Sequence, residues 1–223
     1  MNRYTTVLLT GLSLWLLGPV RPLRAQSTAP PFENEIRAFE TQDQTSPPRR
    51  KGIVFTGSSS IRLWPELQGY FPGKPVVQRG FGGSQLSDLI RYADRIVVVY
   101  RPKQVVIYSG ENDIAAKVPA REVYERFVTL FRHLRGKLPR TSVVFIAIKP
   151  SPSRRAFRAE VEAANRLIKD FLATQKRTAF VDVFTPMLGP NGQPMPHLFK
   201  ADSLHMTEAG YQIWARQLAP ALR

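Results

Sequence analysis

Four polar clusters in this 223-residue chain carry side chains whose types and spacing could do chemistry. Asp202 stands three residues before His205 in the segment DSLH. At that spacing a carboxylate and an imidazole can share one side of a turn. The carboxylate then accepts the Nδ1–H and leaves Nε2 as a base. Ser58-Ser59-Ser60 supplies three hydroxyls directly after an apolar run. Hydroxyls at a strand-to-helix turn suit an exposed nucleophile whose own N–H points into an oxyanion site; taken alone, they more often cap a helix. Gly80-Phe81-Gly82-Gly83-Ser84 lets a backbone N–H approach a substrate oxygen closely, or forms an ordinary tight loop. Gly110-Glu111-Asn112-Asp113 offers an amide at Asn112 that could donate to a developing oxyanion, although an asparagine in a turn is commoner.

Several chemistries are excluded. The glycine loop lacks the G-x-G-x-x-G spacing of a dinucleotide site, and no G-x-x-x-x-G-K-[ST] phosphate loop occurs. The chain has no cysteine, which removes disulfides, thiolate metal sites and a thiol nucleophile. His133, His197 and His205 are spread too widely for a histidine-based metal site to be expected, and no cofactor is implied. The G-x-S-x-G elbow of the α/β-hydrolases is absent.

Each cluster follows a short apolar run. Gly52–Thr56 (GIVFT) precedes the serines, Val76–Gln78 the glycine loop, and Val105–Tyr108 (VVIY) the Asn112 segment. Val143–Ile148 (VVFIAI) and Ala179–Val183 (AFVDV) follow the same grammar. Continuous apolar strands of this length belong to parallel sheets covered on both faces. Between them lie helical periodicities. Val123, Phe127, Leu130, Leu134 and Leu138 form one after Pro119; Phe157, Val161, Ala164, Ile168 and Phe171 form another. A last helix opens at Thr207 and buries Tyr211, Trp214 and Leu218. Ile96–Tyr100 (IVVVY) is ambiguous: it is strand-like by propensity, yet it extends a helical pattern from Leu86. Alternating strands and helices imply right-handed crossovers, with ligands beyond the carboxyl ends of the strands.

The N-terminus reads as a secretory signal peptide over residues 1–25. Arg3 precedes an uncharged stretch from 4 to 20, then come Gly18-Pro19 and a small residue at Ala25. Export to the periplasm or the exterior is expected, with no stable membrane span after cleavage. Residues 26–50 contain one amphipathic piece, with Phe32, Ile36 and Phe39 on one face and Pro47-Pro48 ending it. The net charge is +15, and residues 121–177 hold 14 Lys/Arg against 5 Asp/Glu. Such a block suits recruitment of an anionic envelope polymer; solvated helix faces are the plainer explanation. Nucleic-acid binding is not expected, because no aromatic–basic recognition motif is present.

The ordered set FTGSSSIRLWP, RGFGGS, IYSGEND and DSLHMTEAGY resembles the SGNH (GDSL-like) hydrolase superfamily, in the branch with a Gly-Ser-Ser-Ser first block. The resemblance runs from about Phe32 to the C-terminus, with residues 51–223 as the hydrolase domain. It implies a three-layer α/β/α sandwich around a five-stranded parallel sheet of flavodoxin-like type. It places the nucleophile on Ser59 and its partners on Asp202 and His205. The oxyanion donors fall on the N–H groups of Ser59 and Gly83 and the amide of Asn112. Ser58 stands where the family usually has aspartate. The activity implied is esterase action on small acyl esters, with O-acetyl groups on carbohydrates one such substrate class. Lysophospholipase or thioesterase action is the alternative among enzymes, and a non-catalytic polyanion-binding module the alternative outside them. Arg154, just after the fourth strand, is a candidate contact for an anionic substrate group. Arg62 and Trp64 read as packing residues, and Glu111 and Asp113 as loop-bracing carboxylates.

Overall fold

The computed structural model describes residues 29–223, so the expected signal peptide lies outside the described residues. Five strands form one parallel sheet in the order β2-β1-β3-β4-β5. They are β1 Ile53–Gly57, β2 Val76–Gly80, β3 Gln104–Tyr108, β4 Ser142–Ile146 and β5 Thr178–Val181. The helices are α1 Glu33–Thr45, α2 Ser59–Arg62, α3 Leu67–Tyr70, α4 Leu86–Ile96, α5 Glu111–Ala115, α6 Ala120–Lys137, α7 Arg158–Ala173 and α8 Glu208–Leu218. The strand order reverses between β1 and β3, the switch point at which such sheets open a crevice for ligands.

The central strands β1, β3 and β4 are buried at every position, which is why they read as unbroken apolar runs rather than alternations. Side chains alternate between two cores. Val54, Val105, Ile107, Val143 and Phe145 meet α1, α4, α6 and α7 on one face. Ile53, Phe55, Val106, Tyr108, Val144 and Ile146 meet α2, α3 and α8 on the other. Trp64, read from sequence as packing, is buried there in an aromatic cluster with Phe55, Phe71, Tyr211 and Trp214.

The ambiguous stretch resolves as helix. Ile96 ends α4 and Val98–Tyr100 tightens into a 3-10 turn, because Ile96 and Val97 bury themselves in the α4 core. The amphipathic segment is α1, with Ile36 fully buried and Phe32 and Phe39 packed against the same core. Polar bonds fasten it. Arg95 on α4 forks to Glu33 and Glu40, and Asp43 takes bonds from Arg79 and the Tyr100 hydroxyl. Among the described residues no helix is long and apolar enough to cross a membrane.

Candidate active site

The first strand ends in a glycine for a steric reason. Gly57 has φ 133°, and a Cβ there would lie 1.8 Å from the Tyr108 carbonyl oxygen on the neighbouring strand. The chain then turns sharply, and Ser58, at the N-cap of α2, donates its N–H to that same carbonyl at 3.0 Å. Ser58 and Ser60 are buried, whereas Ser59 is half-exposed at the mouth. The Ser58 side chain makes no capping bond, so the capping reading of the serines does not apply.

Ser59 Oγ lies 3.0 Å from Nε2 of His205, and Nδ1 of that ring lies 2.6 Å from Oδ2 of Asp202. The three side chains therefore form one hydrogen-bonded row. The loop carrying the last two is self-bracing. Asp202 Oδ1 accepts the N–H groups of Leu204 and His205 at 3.0 and 2.9 Å. Phe199 and Met206 pair as an antiparallel bridge, and Lys200 N donates to the His205 carbonyl at 2.7 Å. The bond from His205, with the two backbone N–H groups, holds the Asp202 carboxyl at about 2. Thr207 is the N-cap position of α8 as expected, but its hydroxyl donates to the His197 carbonyl instead of capping.

The glycine loop and the Asn112 segment are tied to this row. Phe81 N and Ser84 Oγ both bond the Gly57 carbonyl, at 2.9 and 3.4 Å. Asn112 Nδ2 donates to the Ser84 carbonyl at 3.0 Å, which spends one amide hydrogen and leaves the second. Gly83 has φ 78° and open space where a Cβ would stand. Among the described residues, the N–H groups of Ser59 and Gly83 meet no acceptor. The neighbouring Gly82 is held from two sides: its N–H reaches Glu35 of α1 at 3.3 Å, and the Arg62 guanidinium packs where its Cβ would be. Arg62 thus braces the loop, consistent with a packing role.

Beneath these groups lies a buried polar cluster that the sequence reading did not assemble. Glu111 accepts bonds from the Tyr108 hydroxyl at 2.8 Å, from Lys149 Nζ at 2.5 Å and from the Ser151 hydroxyl. Burial lowers the pKa of Lys149, and the neighbouring Glu111 carboxylate opposes that shift. Burial, then Glu111, pushes the Tyr108 phenol up. The signal was present in the lysine that ends the apolar run VVFIAI, a position where only a partnered cation can be buried. Asp113 braces the adjacent turn. It accepts Leu86 N at 3.1 Å and pairs with Arg126 at 2.9 Å, and burial raises its carboxyl.

Arg154 sits on a 3-10 turn, Pro152–Phe157, whose Ser153 N–H bonds the Ser203 carbonyl and so docks it on the Asp202–His205 loop. Its Nε is buried without a partner, and it lines a cleft with Lys149, Ser151, Arg155, Arg158 and Phe184. His133 lies apart, 2.7 Å from Asp94 on the surface. Among the described residues there is no group of three or more His, Asp or Glu that could hold a metal.

A parallel sheet covered on both faces, in the order β2-β1-β3-β4-β5, belongs to the broad class of doubly wound α/β folds. The family model for GDSL-like lipases and acylhydrolases matches residues 52–213, and the chain belongs to that family. Its fold is that of solved members. A Streptococcus pneumonia protein provisionally named as a platelet activating factor superposes with TM-score 0.76 at 23% identity, covering 85% of this chain and 92% of that one. A GDSL-like lipase from Bacteroides thetaiotaomicron gives 0.72 at 20% identity, covering 83% and 96%. A catalytic mutant of an acetylxylan esterase from Geobacillus stearothermophilus gives 0.63 at 19% identity, covering 77% and 93%. No curated protein sequence matches the chain.

Proposed function

We propose that the chain is a serine esterase that hydrolyses small acyl esters, with O-acetylated carbohydrate as its natural substrate class. The observation that carries this reading is the unbroken row from Ser59 Oγ through His205 to Asp202. In this mechanism His205 takes the Ser59 proton as Oγ attacks the ester carbonyl. Asp202, ionised at all but strongly acidic pH, fixes the ring's orientation and stabilises its cationic form. The tetrahedral oxyanion is held by the N–H groups of Ser59 and Gly83 and by the second amide hydrogen of Asn112. His205 then protonates the leaving alcohol, and water attacks the acyl-enzyme by the same route in reverse.

The carbohydrate assignment is supported by the resemblance to an acetylxylan esterase and by the export expected from residues 1–25. Arg154, with an unpartnered Nε beside the His205 loop, is the proposed contact for an anionic group on that substrate. The test is turnover of p-nitrophenyl acetate, butyrate and octanoate by the mature protein and by Ser59→Ala. Wild-type turnover, fastest with acetate and lowered by at least about 10³-fold in the variant, supports the reading. A preference for octanoate would favour lysophospholipase action, and activity surviving in Ser59→Ala would refute the assignment of the nucleophile.

A further inference from the structure

All five strands run parallel, so the loops that enter them gather at the end of the sheet opposite Ser59. These entries are basic. Lys51 precedes β1, Arg101 and Lys103 precede β3, Lys137 and Arg140 precede β4, and Lys176 with Arg177 precedes β5. All seven side chains are exposed, and among the described residues none makes a salt bridge or a side-chain hydrogen bond. No Asp or Glu occurs in residues 46–52, 97–103, 137–141 or 174–177. The basic excess of residues 121–177 is spread by the fold over helix faces, where Arg132, Arg166 and Lys169 are also unpaired among the described residues, and over this end of the sheet. Arg121, Arg126 and Arg158 are paired on helix faces, while Lys137, Arg140, Lys176 and Arg177 stand free on this end.

Backbone hydrogen bonds set these loops in a row. Lys103 N bonds the Gly52 carbonyl, Ser142 N the Lys103 carbonyl, and Val143 N the Arg177 carbonyl. With strands about 4.8 Å apart, the free cations extend over roughly 14 Å from β1 to β5. Five of them line a groove of about 730 Å³. Three of the seven are held at positive φ: Lys51 at 60°, Arg101 at 47° and Arg177 at 58°. That conformation suits glycine or asparagine better than a long side chain, so the cations occupy positions that local geometry does not favour. Attraction to a helix C-terminus accounts for Lys137 in the last turn of α6, and not for Lys51 or Lys103, which enter strands.

We propose that this end of the sheet is a docking face for an acidic polysaccharide, a linear carbohydrate polymer bearing carboxylates. A row of unpaired cations in a concave groove matches a chain of regularly spaced anions. Among the described residues the face has no exposed aromatic platform on which nucleic-acid bases could stack. Among the described residues it presents one exposed large apolar side chain, Val99 at 62%, which is too little for insertion into a bilayer or for a protein hot spot. Docking here, at the end of the sheet remote from Ser59, would tether the protein to a polymer while leaving the site open.

The test is binding of fluorescent oligogalacturonate to the mature protein at low salt. The triple variant Lys103→Gln/Lys137→Gln/Arg140→Gln should bind at least about tenfold more weakly, with a shallower salt dependence. The control Arg132→Gln/Arg166→Gln/Lys169→Gln, which removes the same charge from helix faces, should stay within about twofold. Equal losses in the two triples would reduce the effect to net charge and overturn the proposal. So would wild type that fails to bind, or that binds phosphatidylglycerol vesicles or oligoadenylate more tightly through the same three residues. Unfolding curves confirm that each variant is native. Should the triple not fold, Lys103→Gln and Arg140→Gln singly must each weaken binding by about twofold or more.

Discussion

At the carboxyl end of the sheet nearly every charge is spoken for: Glu111 receives Tyr108, Lys149 and Ser151, Asp113 receives Arg126 and Leu86 N, and Asp202 receives His205 with two backbone N–H groups. At the amino end Lys51, Arg101, Lys103, Lys137 and Arg140 are exposed, with no partner among the described residues. One sheet thus carries two different uses of charge. Where charge is paired and hydrogen-bonded, buried at Glu111 and Asp113 and exposed at Asp202, each group is held in one place, which suits the handling of a proton. Where it is unpaired, no bond fixes the side chain and the summed field is what acts. Geometry is held at one end by pairing the carboxylates; at the other, attraction is kept by leaving these five cations without a counter-charge.

The sharpest way to break this contrast is to unpair the buried cluster. Glu111→Ala leaves the Lys149 ammonium buried without a counter-charge and should destabilise the protein by about 3–5 kcal/mol, read by denaturant unfolding. A change below about 1 kcal/mol would show that the pair is not held as charges. Asn112→Ala should keep the fold while lowering ester turnover by about 10²–10³-fold, read in kcat with KM nearly unchanged. The next effect is acid sensitivity. Folding lowers the Asp202 carboxyl to about 2 and, through Arg95 and Arg37, Glu33 to about 2. The stability these groups contribute is complete above their ordinary pKa values and is lost as pH falls toward 2. Asp202→Asn should flatten that acid limb in unfolding measured as a function of pH. The smallest effect belongs to the amino end: Lys103→Gln should change stability by less than about 0.5 kcal/mol, since its side chain has no bond to lose.

The sequence made the strands legible because β1, β3 and β4 are buried on both faces and so leave continuous apolar runs. Ser59, Gly83, Asn112, Asp202 and His205 are picked out only jointly, by the resemblance of their ordered blocks to the family, since each segment alone also reads as a cap, a tight loop or a turn. The sequence did not join Glu111 to Lys149, which lie 38 residues apart and meet only because β3 and β4 are neighbours. Ile96–Tyr100 was ambiguous because its β-branched residues favour strand while their burial follows the helix before them. The basic block of residues 121–177 was visible as a sum, yet which of its cations gather at the sheet's amino end required the crossovers. Glu35 was not singled out: its reach to Gly82 spans 47 residues and leaves no local pattern.

The measurement that bears most directly on the proposed chemistry is labelling of the mature protein with a fluorophosphonate, followed by peptide mass spectrometry. The row from Ser59 through His205 to Asp202 predicts a single phosphonyl adduct on Ser59, absent from Ser59→Ala and strongly slowed in His205→Ala. An adduct on Ser58 or Ser60, or labelling that is unchanged without His205, would contradict the account.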